Sequence, residues 1–385
     1  MSWWALPALA AAAYQLFAII AALRWRVGQA FNLSTSPLPP ISILKPMYGR
    51  DERLYQALRS HALQKYPEFE ILFGVRSATE PALEDIQRLR CDFPSLPMRV
   101  IQVETEAPNA KVGVLARLAA EARHPLLVIN DDDIEVQVGY LEAVTAPLRD
   151  SRIGLVTCLY RARAESFAAR VEALGVAGEF ASSVMVARLL GVGGFALGAT
   201  MALRAETLAR AGGFQPIETY LADDYELGRR VAAAGYRVEF APVVVETGLG
   251  GASWRDVWRH QLRWVRTIRV SRTAGYYGSV VTHAVLWALL AFAAGEWYAG
   301  VAALVLRVAA GWLAGAWVLR DPLVKRWFWL LPLRDLFGLA VWAGGCFGST
   351  VHWRGLKLRL LKGGKIGLVG QALSPVNFDS PGPAK

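Results

Sequence analysis

The sequence predicts an α/β domain with a mostly parallel sheet, held to a membrane by one helix before it and by apolar helices after it. Three observations carry that expectation. Residues 3–23 form a charge-free run of 21 residues. Residues 40–160 alternate short apolar runs with stretches of helical spacing, and long apolar runs recur after residue 270. Composition agrees: 54% of the 385 residues are hydrophobic and 14 are Trp, more apolar sequence than a single core absorbs.

The opening run is long enough to span, because a helix rising about 1.5 Å per residue crosses a hydrocarbon layer of roughly 30 Å in about 20 residues. No basic stretch precedes it and Arg24 and Arg26 follow at once, so residues 1–26 read as an uncleaved anchor rather than a signal peptide. Those arginines place the next domain in the cytoplasm, at an inner or cytoplasmic membrane. Residues 34–40 hold three prolines and read as a linker.

Strands are expected at 41–45, 71–75, 98–103 and 126–129, with helices at 53–63, 81–89 and 112–122 between them. That order builds a parallel sheet with helices on both faces, where ligands bind beyond the carboxyl ends of the strands. From 154 to 248 the pattern is mixed, with strands at 154–160, 200–203 and 238–245. Residues 167–195 fit either helices lying on the bilayer or a buried helix pair. The α/β domain thus occupies 40–250, followed by an amphipathic interfacial helix at 251–272, C-terminal membrane helices at 273–360 and a tail at 361–385.

The later apolar runs are 273–295, 297–319 and 336–353. Arg307 interrupts the second, either lining a groove or snorkelling at a helix break. A fourth full crossing would put Arg354, Lys357, Arg359, Lys362 and Lys365 outside, against the positive-inside rule. One C-terminal segment therefore reads as re-entrant or interfacial, and the number of crossings stays open. The net charge of +10 suits anionic headgroups or phosphorylated substrates, and nucleic acid is excluded by the lipid-length runs. Three unpaired cysteines suggest neither a disulfide framework nor a thiolate metal site.

Candidate chemistry lies where strands end. The strand at 126–129 runs into Asn130-Asp131-Asp132-Asp133, and Asp131 and Asp133 can hold Mg²⁺ or Mn²⁺ whose open positions take diphosphate oxygens. A solvated acidic turn is the alternative. Asp223 and Asp224 open a helix, either as caps or as the base that a direct displacement needs. Arg259, Arg263 and Arg266 share one side of a helix, able to clamp a diphosphate or to touch lipid phosphate. Lys111 opens the helix after the third strand, where a phosphate is favoured.

Taken together, Asp131-Asp132-Asp133, Asp223-Asp224-Tyr225 and His260-Gln261-Leu262-Arg263-Trp264 resemble the ordered motifs of inverting, family-2-like glycosyltransferases of the GT-A fold. The likeness is greatest to ceramide glucosyltransferases and the related hopanoid-linked sugar transferases of bacteria, and it covers about residues 40–270, with residues 332–355 similar to that family's C-terminal membrane region. It implies that Asp131 and Asp133 position metal and diphosphate, that Asp224 is the general base with Asp223 beside it, and that Arg263 and Trp264 close over diphosphate and acceptor. Lys111 and His260 would line the donor site. Glu80 is the one acid in the loop 76–81, where the family carries aspartates for the uridine. The expected reaction is glucose transfer from UDP-glucose to ceramide. Alternatives are UDP-N-acetylglucosamine to a hopanoid polyol, transfer to a polyprenyl phosphate, and an inactive nucleotide-sugar binding module. Partners are then a UDP-sugar, a membrane lipid acceptor and the bilayer.

Overall fold

The computed structural model describes residues 3, 5–27, 38–354 and 356–368. The expected linker at 34–40 and tail at 361–385 lie partly outside the described residues. Seven strands form the central sheet: β1 (Ile41–Pro46), β2 (Phe69–Val75), β3 (Met98–Gln102), β4 (Leu126–Ile129), β5 (Ile153–Arg163), β6 (Met201–Arg204) and β7 (Arg237–Gly248). Their order is β3-β2-β1-β4-β6-β5-β7, with β6 antiparallel to both neighbours and every other pairing parallel. Every residue of β1, β2 and β4 is buried, as a sheet covered on both faces requires, which is why these strands are mostly apolar, with Ser42, Lys45 and Glu70 the buried polar exceptions. All seven expected strands form, each within two or three residues of its expected bounds.

Because β6 runs against β4 and β5, its amino end meets their carboxyl ends. Beyond that edge the segment 167–189 forms one helix interrupted by a π turn at Val176–Phe180. Of the two readings left open for this segment, the buried one holds: Ala169, Ala173, Leu174, Ala177 and Ala181 are wholly enclosed. A Cβ on Gly178 would come within 2.8 Å of Leu331, so a glycine is needed where this helix meets the C-terminal region.

The helices Ala5–Trp25 and Trp297–Val318 are long and apolar enough to cross a membrane, and the pair Thr273–Thr282 and Ala284–Ala293, bent by 52°, makes a third if it is one span. Ala5, Ala8, Ala291 and Ala299 pack together at one level and Ala12, Ala288 and Ala303 at another, the small-residue contacts that let helices approach closely in lipid. The chain is a membrane protein. The apolar run at 336–353 divides, the helix Leu331–Gly345 ending before strand β8 (Thr350–Trp353). At 15 residues this helix reaches about 22 Å, short of a span. It lies along Trp254–Ser271, with Gly345 close against Val265 and Tyr276. Strands β8, β9 (Leu356–Leu360) and β10 (Ile366–Leu368) then form a small antiparallel sheet.

Arg307 neither lines a groove nor snorkels. Its guanidinium is 3% exposed and donates two hydrogen bonds of 2.7 Å to Asp335 and one of 3.2 Å to the Gly178 carbonyl. Asp335→Ala is expected to lower stability by about 3–5 kcal/mol by stranding a buried cation, whereas Arg307→Met with Asp335→Leu together should be near neutral. Thermal unfolding in detergent checks this, and equal losses in both variants would contradict it.

Candidate active site

The turn after β4 is fixed from below. Asn130, fully buried, donates to Tyr140 Oη (2.8 Å), the Ala199 carbonyl (2.9 Å) and Thr200 Oγ1 (3.1 Å), and its Oδ1 lies 3.2 Å from His61 Nε2. Burial, followed by the charge of Lys45, pushes His61 down to about 3, so the ring is neutral. Lys45 Nζ donates to the Asp131 carbonyl at 3.0 Å, and burial lowers it to about 8 against the pull of the three aspartates. Both groups hold the backbone that presents the acidic side chains.

Each aspartate has a different partner. Asp131 pairs with Lys111 at 2.8 Å, Asp132 accepts the Tyr48 amide at 3.1 Å, and Asp133 accepts the Thr247 hydroxyl and the Gly248 amide. Burial would raise Asp131, but the ammonium of Lys111 overrides it and holds the carboxyl below its usual range. Asp133 is pushed up to about 7 by burial and by its acidic neighbours. That crowding of like charge is the condition a cation relieves. Among the described residues no three His, Cys, Asp or Glu side chains converge into a closed metal site. Asp131 and Asp133 offer hard oxygen ligands, which fits Mg²⁺ or Mn²⁺ taking its remaining ligands from phosphate and water.

Asp223 and Asp224 start the helix Asp223–Ala233, which has no side-chain cap at its N-cap residue, Ala222. Lys111 reaches Asp223 at 3.2 Å and so bridges the two acidic clusters, rather than leaving its ammonium open for a phosphate. Asp224 accepts the Gly198 and Tyr225 amides, both at 2.7 Å, and burial and Asp223 raise it to about 6. A Cβ at Gly198 would stand 3.3 Å from Asp224 and 3.4 Å from Asp131. Glycine keeps open the point where the clusters converge.

The helix Trp254–Ser271 begins with a Ser253–Asp256 capping box and turns His260, Arg263, Trp264, Thr267, Ile268 and Ser271 toward the same cavity, a spacing of one helical face. Here the expected arginine row is corrected. Arg259 is exposed, Arg266 donates to the Thr350 carbonyl at 2.8 Å, and Arg269 donates to the carbonyls of Cys346 and Gly348. Only Arg263 of the three expected arginines reaches the cavity, and its guanidinium makes no hydrogen bond or ion pair among the described residues. His260 Nδ1 lies 2.5 Å from Glu172, which also accepts Gln261 at 2.8 Å, and Trp264 packs against His260 and Phe180.

The cavity measures about 700 Å³ and brings together Lys111, Asp131, Asp133, Asp223, Asp224, His260, Arg263 and Trp264. Glu80 is not in its lining; it accepts the Gly49 amide at 2.6 Å, in the loop after β1. Val176, Phe180, Val184, Phe195 and Leu249 supply an apolar wall. The sequence assigned no role to Lys45, Glu172, Gly198 or Arg354, although Arg354 falls in the stretch 332–355 of family likeness.

Comparison with known proteins gives the family and the fold. The family model described as glycosyl transferase family 21 matches residues 3–366. Ceramide glucosyltransferases 1 and 3 of Caenorhabditis elegans are 28% and 27% identical over 201 and 205 residues, 51% and 52% of this chain and 43% and 44% of theirs. The matched stretch therefore spans less than half the length of these relatives. The ceramide glucosyltransferase of Komagataella phaffii is 29% identical over 116 residues, 28% of this chain and 23% of that protein. The mannosyltransferase PcManGT of Pyrobaculum calidifontis, solved with GDP-Man and Mn²⁺, superposes with a TM-score of 0.53 over 89% of this chain and 96% of its own, at 18% identity. That last likeness concerns the fold.

Lys111→Met is expected to cost about 2 kcal/mol at pH 8, less than the 3–5 typical of a fully buried pair, because Asp131 is 35% exposed to the cavity. Without the ammonium the carboxyls rise in pKa and their charged forms are penalised, so the deficit relative to wild type should shrink as the pH falls toward 5. Unfolding measured at several pH values tests this, and a pH-independent deficit would contradict it.

Proposed function

The chain belongs to glycosyl transferase family 21, and from that premise we propose that it moves a hexose from a UDP-sugar to the hydroxyl of a membrane lipid with inversion, the reaction being glucose from UDP-glucose to ceramide. That it is a glycosyltransferase follows from family and fold together. The observation that carries the finer reading is one cavity with two chemistries. Carboxylates and an uncommitted guanidinium line one part, while Val176, Phe180 and Val184 line another on the helix that packs against Gly311 of a membrane helix. A nucleotide diphosphate suits the first part and a lipid suits the second. Arg24, in the last turns of the first membrane helix, supports a cytoplasmic side for the domain under the positive-inside rule.

Asp224 is the base. It takes the proton of the acceptor hydroxyl, whose oxygen forms a bond to the anomeric carbon as the bond from that carbon to UDP breaks with its electron pair on the diphosphate. The amides of Gly198 and Tyr225 fix the carboxylate, and burial holds it near the pKa a general base needs. Arg263 presents its planar donors to the leaving diphosphate, where charge develops. Mg²⁺ or Mn²⁺ at Asp131 and Asp133, when bound, supplies further neutralisation of that charge. Trp264 and Phe180 exclude water from the acceptor side.

Asp224→Asn is expected to lower kcat by about 10²–10⁴-fold with UDP affinity nearly unchanged. Wild-type kcat/KM should rise with pH through about 6, as the raised Asp224 carboxyl loses its proton, and then level. Normal turnover by the variant would remove Asp224 from the role. The reading as a whole is tested by purified protein with Mg²⁺ or Mn²⁺, offered UDP-glucose and UDP-N-acetylglucosamine, each against ceramide and bacteriohopanetetrol. Glucosylceramide is the product expected; a labelled hopanoid would reassign donor and acceptor, and no labelled lipid in any pairing would count against transfer to these lipids.

A further inference from the structure

Arg354 arrives at the cavity from the C-terminal stretch, where the sequence assigned no residue a role at the site. It occupies the turn between β8 and β9 with φ 48°, a left-handed backbone that non-glycine residues seldom adopt. Its carbonyl accepts the Tyr48 hydroxyl at 2.9 Å, which ties the turn to the loop after β1. The small sheet is anchored a second time beside the acidic helix: the Ile366 amide donates to the Thr219 carbonyl at 2.7 Å, and Val351, Leu358, Leu360 and Ile366 bury Leu221. The turn is therefore held in register with both Asp132 and Asp223.

The guanidinium lies 4.8 Å from the Tyr48 ring centroid and 5.1 Å from that of Trp353, stacked but without a hydrogen bond or ion pair among the described residues. It lines the cavity with Arg263, which is equally uncommitted. Arg354 helps hold the Asp131 carboxyl down, and Arg263 feels both that carboxylate and the like charge of Arg354. Two guanidiniums supplied by separate elements, with their planar donors unused beside a carboxylate cluster, match an anion with several oxygens that enters between them.

We propose that Arg354 is the second arm of a guanidinium clamp that, with Arg263, grips the diphosphate of the nucleotide sugar, and that the C-terminal sheet is the element that delivers it. The inference rests on the UDP-sugar reading. Its test is binding of UDP and of uridine to the full-length protein in detergent with Mn²⁺, comparing wild type, Arg354→Gln and Arg354→Lys. For Arg354→Gln, UDP affinity should fall about tenfold with uridine affinity unchanged, and Arg354→Lys should lie between, because an ammonium restores charge without the fork. Unchanged UDP affinity in Arg354→Gln would overturn the clamp, as would equal losses for UDP and uridine, which would reduce Arg354 to a prop for Tyr48. Absence of UDP binding by wild type would overturn the donor reading and the clamp with it.

Discussion

The ion bridge of Lys111 to Asp131 and Asp223 is the contact on which the site depends. Carboxylates brought together in a half-buried cavity repel, and desolvation would drive them to protonate. One ammonium, 7% exposed, joins an acidic cluster that ends β4 to another that starts a helix some ninety residues later, and neutralises part of both. The neighbouring groups then diverge in character: Asp131 stays charged, while Asp133 and Asp224 rise. A site whose acids are set apart in this way can assign one to a cation and another to a proton.

The second constraint is where the bilayer meets that site. The π turn at Val176–Phe180 turns Val176 and Phe180 toward the cavity and places Gly178 against Leu331 and Gly311. Arg307, Asp335 and the Gly178 carbonyl lock the same turn to two C-terminal helices. The cavity and the membrane helices thus share one packed element.

Much of this was legible in the sequence, for identifiable reasons. Strands β1 to β4 are mostly apolar runs between helical stretches, and an acidic turn directly after a buried strand marks the site in a parallel sheet. The row of arginines was misread because a helical face does not reveal which neighbours lie along it: Arg266 and Arg269 are consumed by carbonyls of the 346–350 segment. Hydropathy cannot separate a short apolar helix from a strand that follows it, so residues 336–353 read as one apolar segment and left the number of crossings open. Arg354 was illegible for a stronger reason. Its place beside Asp132 depends on the chain returning through two hairpin pairings, and in the linear pattern it stood only as the first of a basic run at the end of a family-like stretch.

A direct displacement at a single base fixes the stereochemistry of the product, which reports on the mechanism without any variant. From an α-linked UDP-sugar, proton NMR of the glycolipid formed by the wild-type protein should show a β linkage. An α linkage would require two displacements or a same-face attack, and would contradict the role given to Asp224.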